Sequence, residues 1–140
     1  MTHETTTPIW EDMAEATPQR PAYGRRVFAD GRFEEYSANK VVVEQKAMKT
    51  HMEPRPLDWY PLTTLPAAKV AKLEKLIDDS GFFAMPAEID VPQAAKDVTT
   101  WTVTAHRGGK SHTVRVLKYP FNQPPKLIQL VNHIVQLTAP

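Results

Sequence analysis

The stretch from Thr99 to Leu117 constrains this chain more than any other, because its pattern reads as a β-hairpin with a single register. Thr-Thr-Trp101-Thr-Val103-Thr-Ala105-His106-Arg107 and Lys110-Ser-His112-Thr-Val114-Arg-Val116-Leu117 alternate with a period of two on either side of Gly108-Gly109. That period sends successive side chains to opposite faces of a strand, and a glycine pair supplies the two positive φ angles of a type I′ turn. A two-residue loop sets Trp101 opposite Val116, Val103 opposite Val114 and Ala105 opposite His112 on one face. The other face receives Thr100 with Leu117, Thr102 with Arg115, and Thr104 with Thr113. One face is apolar and the other mostly polar, so the hairpin must be covered on one side only.

The cover is encoded as two amphipathic helices. The first spans roughly Pro66 to Ser80, with Thr64 as N-cap, Pro66 in the first turn, a stripe of Val70, Leu73, Leu76 and Ile77, and Gly81 as the stop. The second runs roughly from Pro125 to Leu137, with Leu127, Leu130, Val131, Ile134 and Val135 on one side. Upstream, Tyr23 to Tyr36 carries Asp30-Gly31 between two short β-like runs, which predicts a second hairpin with a two-residue turn. That register pairs Phe28 with Phe33 and Arg26 with Glu35. Val41 to Gln45 reads as a further strand after a turn around Ser37 to Lys40. Residues 46–65 read as a connector with Pro54, Pro56 and Pro61, its Leu57, Trp59, Tyr60 and Leu62 lying against the sheet. Phe82-Phe83 returns to the core, and a polar loop runs on through Lys96. The expected fold is α+β: an antiparallel sheet of two hairpins plus an additional strand, packed against two amphipathic helices. Residues 1–22 are rich in Thr, Pro and acids and poor in large apolar groups. Such a stretch cannot fold alone, so it is expected as an extended or disordered arm before a single domain of residues 23–140.

Composition excludes several functions. The 140 residues contain no Cys, which removes disulfide scaffolds, zinc ribbons, iron–sulfur clusters and thiol catalysis. Lys and Arg number 17 against 16 Asp and Glu, so no strong field steers nucleic acid or anionic membrane. No apolar run spans a bilayer, and the polar start Met1-Thr-His-Glu4 lacks the basic and apolar regions of a secretory signal. The expected location is the cytoplasm. His106 and His112 point to opposite faces of their hairpin and cannot share a metal, and His133 falls on the polar side of the last helix. No serine occupies a Gly-x-Ser-x-Gly turn, no glycine-rich phosphate loop is present, and Glu34-Glu35, Asp78-Asp79 and Glu88 with Asp90 read as solvated surface. Neither an enzyme nor a bound cofactor or metal is expected.

What the sequence offers instead is anchors. Ile9 and Trp10 stand alone in a polar stretch, and Trp59 and Tyr60 stand in a Pro-containing connector. Large aromatic side chains dominate binding hot spots, and extended Pro-containing segments lose little further entropy on docking. The four residues are the expected partner-binding positions of a non-catalytic interaction module or accessory subunit, whose partner is a larger protein or protein complex. Arg25, Arg26, Arg32, Arg107, Lys110, Arg115 and Lys118 near hairpin aromatics raise a second alternative, single-stranded nucleic acid. Against it, Glu34 and Glu35 neutralise the first hairpin and the RNP signature is missing.

The order of elements also resembles a family. Leu65-Pro66 opening a helix with Leu73-Glu74-Lys-Leu76-Ile77, then Gly81-Phe82-Phe83-x-Met-Pro86, Asp97-x-x-x-Trp-Thr-Val103, Gly109-Lys-Ser-His112-Thr-Val114 and Pro124-Pro125-x-Leu127-x-x-Leu130 are similar to the emfourin-type small domains. That family is named for a proteinaceous inhibitor of thermolysin-like metalloproteases, and most members have no assigned role. The resemblance covers about residues 60–137 and rests on packing residues, so it implies a fold, with metalloprotease inhibition through a loop such as 87–97 or a hairpin tip as the alternative function. The Tyr23 to Gln45 region and the acidic stretch before it lie outside the family pattern, and no inhibitory residue carries over.

Overall fold

A computed structural model describes residues 7–18, 20–37, 41–46, 49–53, 56–92 and 98–139, with 41–46 and 49–53 as backbone alone. The order is β1 (Trp10–Ala14), β2 (Tyr23–Val27), β3 (Arg32–Ser37), β4 (Val41–Lys46), β5 (Lys49–Glu53), β6 (Asp58–Thr64), α1 (Ala67–Ser80), a 3₁₀ turn (Phe82–Ala84), β7 (Glu88–Ile89), β8 (Thr99–Arg107), β9 (Lys110–Tyr119) and α2 (Pro125–Thr138). Part of the expected polar loop through Lys96, the turn at 38–40 and residues 1–6 lie outside the described residues.

The β8–β9 hairpin forms in the register that its alternation dictates. Trp101 faces Val116, Val103 faces Val114 and Ala105 faces His112, and Gly108 and Gly109 both take positive φ, 56° and 78°. The ladder shifts between Thr99 and Trp101, so the expected pairing of Thr100 with Leu117 falls in a bulge.

The β2–β3 hairpin is displaced by one residue from its expected register. Val27 faces Phe33, Arg26 faces Glu34 and Arg25 faces Glu35. A type I′ turn would require positive φ at Asp30 as well as at Gly31, and only Gly31 adopts it, at 94°. The loop is therefore three residues, closed by hydrogen bonds from the Phe28 amide to the Arg32 carbonyl and from the Gly31 amide to the Phe28 carbonyl, a turn ending on a left-handed residue. The Asp30 carboxylate accepts the Arg32 amide at 3.0 Å and holds the turn.

The larger correction concerns the N-terminal stretch. Residues 10–14 form an inner strand of a seven-stranded sheet of order β6-β3-β2-β1-β8-β9-β7, antiparallel except for β7 beside β9. Trp10 faces Val27 on one side and Ala105 on the other, and is 1% exposed. Residues 10–14 of the expected arm are thus inside the sheet, and the expected boundary at residue 22 falls between two paired strands. Short as it is, β1 is held by backbone pairing on both edges and by the large apolar area of one indole. Gly24 allows β2 to close against it, since a Cβ there would lie 2.6 Å from the Asp12 carbonyl oxygen.

Val41 to Gln45 forms a strand, but β4 pairs with β5 in a separate two-stranded ribbon instead of adding to the main sheet. The connector expected over 46–65 contains β5 and the edge strand β6, which pairs with β3 from Ser37 opposite Asp58 to Arg32 opposite Thr64. Thr64 lies in β6 and does not cap α1; Pro66 precedes the helix and its carbonyl accepts the Lys69 and Val70 amides, while Gly81 closes it in the left-handed conformation.

Both helices lie on one face of the sheet. Val70, Leu73 and Ile77 of α1 and Leu127, Leu130 and Ile134 of α2 pack over Trp10, Val27, Phe33, Val103, Val114 and Val116, with Phe82 filling the space beside Trp10. The other face carries Glu11, Arg26, Glu34, Thr104 and Thr113 in one row across five strands, and neither helix covers it.

Candidate functional site: the open sheet face and its β6 edge

The four expected anchors divide into two groups. Ile9 and Trp10 are in the core: the Ile9 amide donates to the Val27 carbonyl, its carbonyl accepts the His106 amide, and the Trp10 Nε1–H donates to the Asp12 carboxylate at 3.0 Å. With their backbone and side chains so occupied, they do not present a surface to a partner. Trp59 and Tyr60 lie on β6, half-buried, between the exposed side chains of Leu57 and Leu62.

Trp59 belongs to a layered arrangement that runs along the open face. Its ring meets Tyr36 at 5.2 Å, the Arg26 guanidinium lies 4.0 Å from the Trp59 centroid and 5.1 Å from that of Phe28, and the Arg32 guanidinium covers Phe28 from 4.1 Å. Two arginines thus interleave with three aromatic rings, each contact favourable through the ring quadrupole. Glu34 anchors the stack, accepting from Arg26 at 2.7 Å and lying 3.9 Å from Arg32. Phe28 is buried here, against both guanidinium groups and away from the main core.

The cations of this face are matched by acids. Besides Arg26 with Glu34, Arg32 pairs with Asp30 at 3.1 Å and Arg115 with Glu88 at 3.0 Å. Glu11, in the middle of the row, has its carboxyl raised above 4.5 because burial penalises the charged form, an effect that Arg26 opposes. Beside β6, Phe33, Leu62, Leu65 and Ala139 at the end of α2 line a mainly apolar groove of about 390 Å³.

The side chains of His106 and His112 fall on opposite faces, as their spacing predicts; His112 Nε2 hydrogen-bonds the Met85 carbonyl at 2.7 Å with its ring edge-on to Phe82. Among the described residues no three His, Asp, Glu or Cys side chains are grouped as a metal site would need, and no helix is long and apolar enough to cross a membrane. Sequence reading missed Arg26, Phe28 and Tyr36 as one patch with Trp59. The signal was present in β2, β3 and β6, but joining them required the β3–β6 pairing, whose nearest pair, Ser37 and Asp58, is separated by 20 residues of chain.

No family model, no curated protein and no solved structure matches this chain. The resemblance to the emfourin-type domains rests on the residues quoted above.

Proposed function

We propose that the protein is a non-catalytic interaction module, an accessory subunit that docks on a larger protein through the β6 edge and the Pro-containing segment leading into it. The observation that carries this reading is the exposure of Leu57 and Leu62, 37% and 50%, on either side of Trp59 and Tyr60 at the rim of the sheet. An edge strand presents unpaired backbone groups to which a partner segment can add. Trp59, pre-ordered by stacking on Arg26 and Tyr36, is an anchor that loses little freedom on binding. Pro61 and the bulge opposite Phe33 and Glu34 interrupt the edge, which favours a specific partner over self-association. The internal pairing of the arginines supports a protein partner over a phosphate backbone, which needs free cations.

A photo-crosslinking residue at Leu62, with one at Lys72 on α1 as control, tests this in cell extract. The expected result is a discrete adduct from position 62 alone, lost when Trp59→Ala is added. Adducts of equal yield from both positions, or none from 62, would overturn the reading. A metalloprotease in the adduct, inhibited by the purified chain, would move the assignment to the emfourin-like alternative.

A further inference from the structure

On the helix-covered face, α2 leaves one corner of the sheet open, where β1 ends and β2 begins. The cleft there holds about 420 Å³, with the sheet as floor and α2 as one wall. Its floor carries an ion pair that the fold alone does not explain. Asp12 is 3% exposed, and Arg25 reaches it only at 3.4 and 3.5 Å, longer than the usual charge-assisted bond. The Arg25 Nε is buried and makes no hydrogen bond. Orphaned buried donors are rare and costly, and a guanidinium placed so loosely is poorly used as an internal tie. The neighbouring acid does not take it either: Glu35 is occupied by the Tyr23 hydroxyl at 2.7 Å and the Ser37 hydroxyl at 3.3 Å. Tyr23 stays protonated in that role, its hydroxyl pushed up to about 12 by burial and by Glu35. A second guanidinium, Arg20, stands at the rim and pairs with no acid among the described residues. The far end of the cleft is apolar, with the Trp101–Tyr119 ring pair at 5.0 Å and Val135 of α2, which is 39% exposed.

We propose that this cleft binds a small organic carboxylate with one ring-sized or branched apolar group, its carboxylate bridging Arg25 and Arg20 and its apolar group lying against Trp101, Tyr119 and Val135. A concave site with an apolar wall and a few convergent polar groups is the usual form of such a pocket, and a planar guanidinium matches a carboxylate in a forked geometry. The site is on the opposite face from the Arg26–Trp59 stack and does not depend on the docking reading.

Two-dimensional NMR titration of the isotope-labelled full chain provides the test, with phenylacetate, indole-3-acetate and isovalerate as probes and the corresponding amides as controls. Saturable shifts are expected at the Trp101 indole and the Asn132 amide, with each acid binding at least about tenfold tighter than its amide, the difference made by a charged contact. Arg25→Gln is expected to abolish the preference for acid over amide. Because Arg25 adjoins a buried acid, the exposed Arg20→Gln is the second variant, and it should weaken acid binding at least about fivefold without moving amide binding. The proposal is overturned if none of the acids saturates, if acid and amide bind equally, or if Arg20→Gln binds the acids like the unaltered chain.

Discussion

Two glycines show how much a single position can hold. Gly31 combines φ 94° with a virtual Cβ only 2.3 Å from the Leu65 carbonyl oxygen, and its own carbonyl accepts the Leu65 amide, so it sets both the β2–β3 turn and the end of β6. Gly109 has φ 78° and open space around it. Alanine at Gly109 is expected to cost about 1 kcal/mol, the ordinary penalty of the left-handed region. At Gly31 the clash adds to that penalty, and a loss of about 2–4 kcal/mol is expected by urea unfolding. The same two positions explain why one hairpin register was legible and the other was not. Gly108-Gly109 serves both positions of its turn, whereas Asp30 declines the conformation that Asp-Gly suggests and uses its carboxylate to hold the Arg32 amide. Trp10 misled for a different reason: an alternation of Trp10, Asp12 and Ala14 has an acid where a core strand should be apolar. The acid is accommodated by the Trp10 indole two residues away and, more loosely, by Arg25 of β2, a partner that no local pattern reveals. Trp10→Ala is expected to cost about 3–5 kcal/mol in the same unfolding assay.

At the scale of elements, the tip of the β8–β9 hairpin is tied to α1 through Arg107, which reaches Asp78 at 2.7 Å and Glu74 at 3.2 Å. The hydrogen bonds from Arg107 to Asp78 hold the Asp78 carboxyl below its ordinary 3.8. A lowered carboxylate contributes stability that is present above its ordinary value and lost as pH falls through the lower, folded value. Between pH 5 and pH 2 the unfolding midpoint of the Asp78→Asn protein is therefore expected to fall less than that of the unaltered chain, while at pH 7 the substitution costs about 0.3–1 kcal/mol, the range of exposed pairs. The helices themselves were legible almost to their ends, since their stripes are long and Gly81 and Pro125 mark the boundaries. The β4–β5 ribbon was legible only as strand-forming residues, because nothing in Val41 to Gln45 says which strand it will pair with. Ser37 faces Asp58 directly, so the intervening chain is an excursion from a continuous ladder. Replacing residues 38–57 by a two-residue turn should leave the cooperative unfolding intact and raise stability by up to about 2 kcal/mol, as loop-closure entropy scales; loss of the transition would show that the ribbon supports the sheet.

For the whole molecule, the position of β1 decides what a truncation means. Removing residues 1–14 would strip the strand between β2 and β8 and expose two edges and the apolar floor under Phe82. The shortened chain is expected to lose its cooperative transition and near-ultraviolet circular dichroism, so a missing partner in such a variant would report unfolding. Substitutions on β6 test docking without that confusion. The α+β class and the two covering helices could be read from periodicity alone, while the strand order could not, since it depends on pairs distant in sequence. That strand order also has a consequence in time. Thr99 follows Ala14 by 85 positions, the difference between their numbers. A ribosome adding about 5–20 residues per second needs about 4–17 s to cover that interval. During it, β1 has β2 beside it but not β8, so the backbone edge of β1 that β8 later covers, with Trp10 opposite Ala105, is the last face of this strand to close.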